Sequence, residues 1–182
     1  MLRLVSLTFR RHISTNRLIY SSDNELLKTL ENNLIIKEDF ISEEEEKSIL
    51  GEVDPYMRRL RYEFDHWDNV IHGYRETERL KWTPANQSIL NRVKHIAFEK
   101  YDETNKNLLN HIHVLDLHEN GYIKPHVDAV RFCGNTIAGL CLLSDAVMRL
   151  THEKDKSKKV DALLKRRCLY IMRFVSLYRN LL

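Results

Sequence analysis

His113-Val-Leu-Asp-Leu-His-Glu-Asn-Gly-Tyr-Ile-Lys-Pro-His126-Val-Asp128 is the stretch that sets the architecture. Apolar and polar residues alternate over His111–Leu117, the two-residue period of a strand with one covered face. His118-Glu119-Asn120-Gly121 contains Asn-Gly, a turn signal, and Tyr122–Val127 leads out of it. Downstream, Thr136–Leu143, Val147–His152 and Cys168–Phe174 read as further short strands. Lys154–Lys159 between them is a charged surface loop.

Upstream, the period is helical. Asp23–Asn33 predicts a short helix leading into Leu34–Ile36. Phe40–Leu50 predicts a second helix, with Ser42 as cap, Glu45 three residues on and Glu43–Glu46 filling the first turn with negative charge. Gly51 and Pro55 are expected to end it. Thr83-Pro84 opens a third, in which Ile89, Leu90, Val93, Ile96 and Ala97 recur at core spacing. Between these helices, Arg61–Asp65 alternates as a strand with one wet face, and His66–Tyr74 reads as a loop. Front helices followed by consecutive short strands predict a mostly β, α+β domain. Its form would be a barrel or sandwich with helices packed on one side.

The chain has 182 residues, enough for one domain, with 43% hydrophobic and 30% charged residues, the profile of a globular protein. Apolar runs are broken long before the ~20 residues of a membrane span. Net charge is +3, concentrated near the N-terminus. Arg58–Trp82 interleaves aromatic and basic residues, but acids are nearly as many. An ion-paired shell around a pocket therefore fits this segment better than a nucleic-acid surface. Cys133, Cys141 and Cys168 have no paired spacing, so free, buried thiols are expected rather than a disulfide framework or zinc knuckle.

Residues 1–22 contain Arg3, Arg10, Arg11 and Arg17 and no acid; Asp23 is the first. Leu4, Leu7 and Phe9 can share one side of a helix. This acid-poor, arginine-rich pattern reads as a mitochondrial transit peptide, with residues 23–182 as the mature domain. The matrix is the expected destination.

The chemistry lies in Tyr122–Asp128. His126 and Asp128 are two apart, so on extended chain they point to the same face and can meet one metal ion. A second histidine from a later strand would complete a two-histidine, one-carboxylate triad with open positions. That set suits non-haem Fe(II) beside a chelating co-substrate better than structural zinc.

His113–Asp128 resembles the AlkB family of Fe(II)/2-oxoglutarate dioxygenases, in its mitochondrial branch. Arg61–Glu78, Phe132–Ser144, Val147–Leu150 and Leu169–Ile171 also fit. The likeness runs from about residue 34 to Arg173. It implies a double-stranded β-helix, a jelly-roll-like fold that binds Fe(II) and 2-oxoglutarate. His126 and Asp128 would be the iron ligands and Tyr170 a 2-oxoglutarate contact. It also implies O2 as co-substrate, oxidative hydroxylation or demethylation, and family links to regulated necrosis after alkylation damage and to fatty-acid metabolism. A monomer is expected, acting on a mitochondrial protein, metabolite or RNA.

The family pattern continues past Leu169-Tyr-Ile with a glycine-bearing strand, a distal histidine and arginines for the 2-oxoglutarate carboxylate. Here no histidine follows His152, and Phe174–Leu182 departs from that pattern. The expectation is of a domain lacking its last strands and the third ligand. The alternative function is then a catalytically inactive form that acts as a binding protein.

Overall fold

The protein was described as a computed structural model covering residues 2–6, 18–30, 33–64, 66, 69–98, 111–127 and 134–173. The element order is β1 (Leu2–Ser6), β2 (Ile19–Ser21), α1 (Asn24–Leu30), β3 (Leu34–Lys37), α2 (Glu43–Met57), β4 (Ile71–Arg79) and α3 (Pro84–Ala97). It continues with β5 (Ile112–Ile123), β6 (Thr136–Cys141), β7 (Ala146–Thr151), β8 (Lys159–Leu164) and β9 (Leu169–Arg173). Strands dominate, as the alternation predicts. They form a six-stranded sheet, β3-β9-β6-β1-β5-β4, and a three-stranded sheet, β2-β8-β7.

The layers follow from alternation along the strands. Ala138 and Leu140 of β6, and Leu169 and Ile171 of β9, pack with Ile49, Val53 and Met57 of α2 and Leu90, Val93 and Ala97 of α3. Ile137, Cys141, Tyr170 and Met172 belong to a second cluster with Ala146, Val160, Ala162 and Leu164 of the smaller sheet and with Leu26 and Leu30 of α1. The large sheet is therefore covered by α2 and α3 on one face and partly by the small sheet on the other.

Helix α2 begins where Ser42 and Glu45 predict. The Ser42 hydroxyl accepts from the Glu45 amide, and the Glu45 carboxylate accepts from the Ser42 amide. It does not stop at Gly51 or Pro55 but runs to Met57, with Pro55 inside. The proline ring meets the carbonyl of the residue four back, which is Gly51, and costs the helix about 3 kcal/mol. Burial of Val53 and Met57 on the same helix outweighs that cost. Helix α3 starts at Pro84, but Thr83 does not cap it with its side chain. The Thr83 hydroxyl and amide donate to the Glu52 carboxylate instead. Ile96, expected in the core, is 39% exposed, because the apolar side that α3 buries runs through Ile89, Leu90, Val93 and Ala97 and leaves Ile96 at its margin.

Three further expectations are corrected. Among the described residues, the strand read at Arg61–Asp65 is reduced to one bridge, Glu63 to Tyr74, and the strand there is β4, which begins inside the segment read as a loop, His66–Tyr74, and runs on to Arg79. The charges of β4 hid it, and three of them, Arg75, Glu76 and Arg79, find tertiary partners. His118–Gly121 does not reverse the chain, since residues on both its sides pair with β4. It is a bulge opposite Gly73, whose φ of +63° and close approach to Gly121 leave no room for a side chain. Finally, Leu2–Ser6 is extended, not helical. It lies between β5 and β6, parallel to both, while the other ladders described are antiparallel. A segment this short is marginal as a helix but bonds on both sides within a sheet. Leu7 and Phe9 lie outside the described residues. No helix described is long and apolar enough to cross a membrane.

Candidate metal and co-substrate site

The approach to His126 is anchored at the start of β4. The Lys124 amide donates to the Val70 carbonyl at 2.9 Å, and the Lys124 ammonium donates to Asn69 Oδ1 at 3.0 Å. Asn69, at φ +59°, also accepts from His72 Nε2 at 3.1 Å, and the His72 ring stacks on Tyr122 with centroids 5.0 Å apart. Asparagine tolerates this left-handed backbone better than most residues. Pro125 then fixes the backbone leading into His126.

His126 is exposed, and its Nδ1 lies 2.9 Å from the Lys124 carbonyl oxygen. A carbonyl can only accept, so Nδ1 carries the proton and the neutral ring has its lone pair on Nε2. Donation of the other ring N–H to a backbone carbonyl is how metal-ligating histidines are usually held. Asp128 lies outside the described residues. Among the described residues no group of three histidine, cysteine, aspartate or glutamate side chains is assembled for a metal.

Tyr170 is 5% exposed, in mid-β9 on the face turned to the small sheet. Its register partner on β6 is Gly139. A Cβ built at Gly139 would fall on the Tyr170 ring. Tyr170 and His126 stand on different parts of the large sheet, with β6 and β1 lying between β9 and the strand that leads to His126.

Sequence reading missed a half-buried polar cluster on β4 and β5. Glu76 Oε2 lies 2.7 Å from His113 Nε2, and Glu76 Oε1 lies 3.8 Å from His66 Nε2. His66 packs edge-on to the buried Tyr74, centroids 5.3 Å apart. On the other face of the same strands, Arg75 donates to Asp116 at 2.7 Å and to the Met57 carbonyl at 3.0 Å. Tyr62 donates to the same Asp116 oxygen at 2.9 Å. Burial first, and then the Asp116 carboxylate, push the Tyr62 hydroxyl above its usual range, so it stays a donor. These contacts bear out the ion-paired shell read from Arg58–Trp82.

Cys141 and Cys168 are free and buried, as expected, and Cys133 lies outside the described residues. The hydrogen bond with Cys168 and then burial hold the Cys141 thiol far above the usual thiol range, so it is inert as a nucleophile.

No family model matches the chain. Two curated relatives match most of it. One is the Mus musculus protein named alpha-ketoglutarate-dependent dioxygenase alkB homolog 7, mitochondrial. It is 47% identical over 155 residues, which are 85% of this chain and 68% of that protein. The Bos taurus protein of the same name is 44% identical over 163 residues, 90% of this chain and 72% of that one. The chain belongs to the AlkB homologue 7 family. Members of that family are named as mitochondrial dioxygenases, which are enzymes, and the resemblance carried by His113–Asp128 is thereby confirmed.

Proposed function

We propose that this chain is an Fe(II)- and 2-oxoglutarate-dependent dioxygenase of the mitochondrial matrix. Its two sheets would be the two walls of a jelly roll, with residues 1–22 as the transit peptide, whose removal would take β1 from between β5 and β6 and β2 from the edge of the small sheet. His126 and Asp128 are the iron ligands, and Tyr170 is a contact for 2-oxoglutarate. The observation that carries the reading is the His126 ring, held through Nδ1 on the Lys124 carbonyl in the way metal-ligating histidines are usually held.

Fe(II), when bound, supplies the O2 chemistry that couples decarboxylation of 2-oxoglutarate to oxidation of a C–H bond in the primary substrate. The residues do the rest. Lys124 fixes the His126 ring and its tautomer through its carbonyl, while its own amide and ammonium tie the loop to Val70 and Asn69. Asp128, two residues on in sequence, would supply the carboxylate ligand. The Tyr170 hydroxyl orients the co-substrate from within the sheet. A mitochondrial protein, metabolite or RNA is the class of primary substrate, in the setting of alkylation-induced necrosis or fatty-acid handling.

The test is Fe(II)-dependent release of succinate from 2-oxoglutarate by the purified chain, with His126→Ala and Asp128→Ala alongside. Turnover lost in both variants supports the reading. Turnover that survives both substitutions rejects the ligand assignment. A folded chain with no turnover and no affinity for 2-oxoglutarate would make the binding-protein alternative the better account.

A further inference from the structure

Gly139 lies in mid-β6 directly across from Tyr170. The three atoms nearest to a Cβ built there are Cε1, Cζ and the hydroxyl oxygen of Tyr170, the last at 2.6 Å. These atoms form the far edge of the ring. The ring therefore does not stand perpendicular to the sheet, as strand side chains usually do. It lies down across β6 with its hydroxyl end over residue 139. Strand order then fixes the direction: leaving β9 and crossing β6, the hydroxyl points toward the β5 side of the sheet. That is the strand that leads to Lys124 and His126.

The glycine is not explained by its backbone. Its φ lies outside the left-handed range, whereas Gly73 and Gly134 have positive φ. A glycine in a strand interior weakens the strand, and a site of close approach is the usual reason for one. Here the approaching group is the Tyr170 ring.

We infer that Gly139 is a positioning residue for 2-oxoglutarate: its missing side chain lets the Tyr170 ring lie across β6 and carries the hydroxyl toward the His126 side of the sheet. This rests on the reading of Tyr170 as the co-substrate contact. Any side chain at residue 139 lifts the ring off β6 and swings the hydroxyl into the space between the sheets.

The experiment measures the Kd of the full chain for 2-oxoglutarate in the presence of Mn(II), by calorimetry, over a double-mutant cycle. Tyr170→Phe removes the hydroxyl and keeps the ring. Its expected effect is about 10-fold weaker binding or more, the loss of one hydrogen bond to a charged group. Gly139→Ala is expected to weaken binding by a similar factor, and to change it less than about 2-fold when Tyr170→Phe is already present. Equal effects of Gly139→Ala in both backgrounds would overturn the inference, as would a Gly139→Ala chain that binds like the parent. If Tyr170→Phe binds like the parent, or the parent does not bind, the Tyr170 reading itself fails.

A second measurement tests the contact without any ligand. Gly139→Ala should lower the melting temperature, and adding Tyr170→Ala, which clears the space, should recover part of that loss. No recovery would show that the glycine answers to something other than the ring.

Discussion

The two faces of the large sheet are built from alternate residues of the same strands, and they are built differently. Toward α2 and α3 the strands β6 and β9 turn apolar side chains, and Ile49, Leu90 and Val93 of the helices are fully buried, while on β4 and β5 the same face carries the Arg75–Asp116 pair. The edge of that layer is tied by ion pairs of Arg166 with Glu46 and Arg79 with Glu52, and by hydrogen bonds from Thr83 and Asn86 to Glu52. Toward the small sheet the same strands carry Gly139, Cys141 and Tyr170, and on β4 and β5 they carry Tyr74, Glu76 and His113. One face is filled to hold the sheet. The other leaves room for a tyrosine to lie flat and keeps polar groups in reach of the strands that lead to His126. A period of two lets one strand serve both tasks without compromise.

If that division is right, substitutions on the helix face act on stability first. The largest effect is expected at Leu90, fully buried between α3 and the sheet. Leu90→Ala should cost about 2–5 kcal/mol in urea unfolding. A cost near zero would mean that the helix layer does not hold the sheet, and the comparison would collapse.

Next comes the Glu46–Arg166 pair. Glu46 is fully buried, accepts two bonds from Arg166 at 2.9 and 2.7 Å and one from the Leu143 amide at 2.8 Å. It joins α2 to the turn after β6. Burial pushes its carboxyl up, but the Arg166 hydrogen bonds, the Leu143 amide and the charges of Arg166 and Arg167 together hold it below its ordinary 4.5. A depressed folded value means stability that is fully present above about 4.5 and is lost as pH falls through the lower folded value. Arg166→Ala should cost about 2–3 kcal/mol, between an exposed pair and a fully buried one, because Arg166 itself is half-exposed. It should also move the acid loss of melting temperature to higher pH. An unchanged acid limb would remove Glu46 from the account.

The helix face was also the more legible in sequence. The Ser42–Glu45 cap and the Thr83-Pro84 start are local signals, and both helices begin there, although Thr83 bonds the distant Glu52 instead of capping. Strand β4 was not legible, because its first half falls in the His66–Tyr74 segment that reads as a loop and its second half is charged until its partners are known. Arg75 needs Asp116, Glu76 needs His113, and Arg79 needs Glu52, all far away in sequence. Asn120-Gly121 misled in the opposite way. Its turn signal is real, but Gly73 across the ladder turns it into a bulge. At the site, the spacing of His126 and Asp128 was readable without a fold, whereas the role of Gly139 was not. Composition marks it only as a glycine in an apolar strand. What it makes room for comes from β9, its neighbour in the sheet but far on in the sequence.

The smallest effect is expected where neither face is involved. Arg149 of β7 and Asp161 of β8 are direct register partners on the small sheet, joined by two bonds at 2.6 and 2.7 Å. The geometry is as close as that of Glu46 and Arg166, and only the solvent differs: Arg149 is 55% exposed. Water screens the attraction, and holding a long side chain in place costs entropy, so Arg149→Ala should lose no more than about 1 kcal/mol. The loss should also shrink when salt is added, since exposed charges are screened over about 10 Å at 0.1 M. The Arg166→Ala loss should hold up better under the same salt, because Glu46 has no access to it. If the two losses were equal and equally salt-sensitive, burial would not be what separates these pairs. The contrast between a sealed helix face and an open outer surface would then have to rest on apolar packing alone.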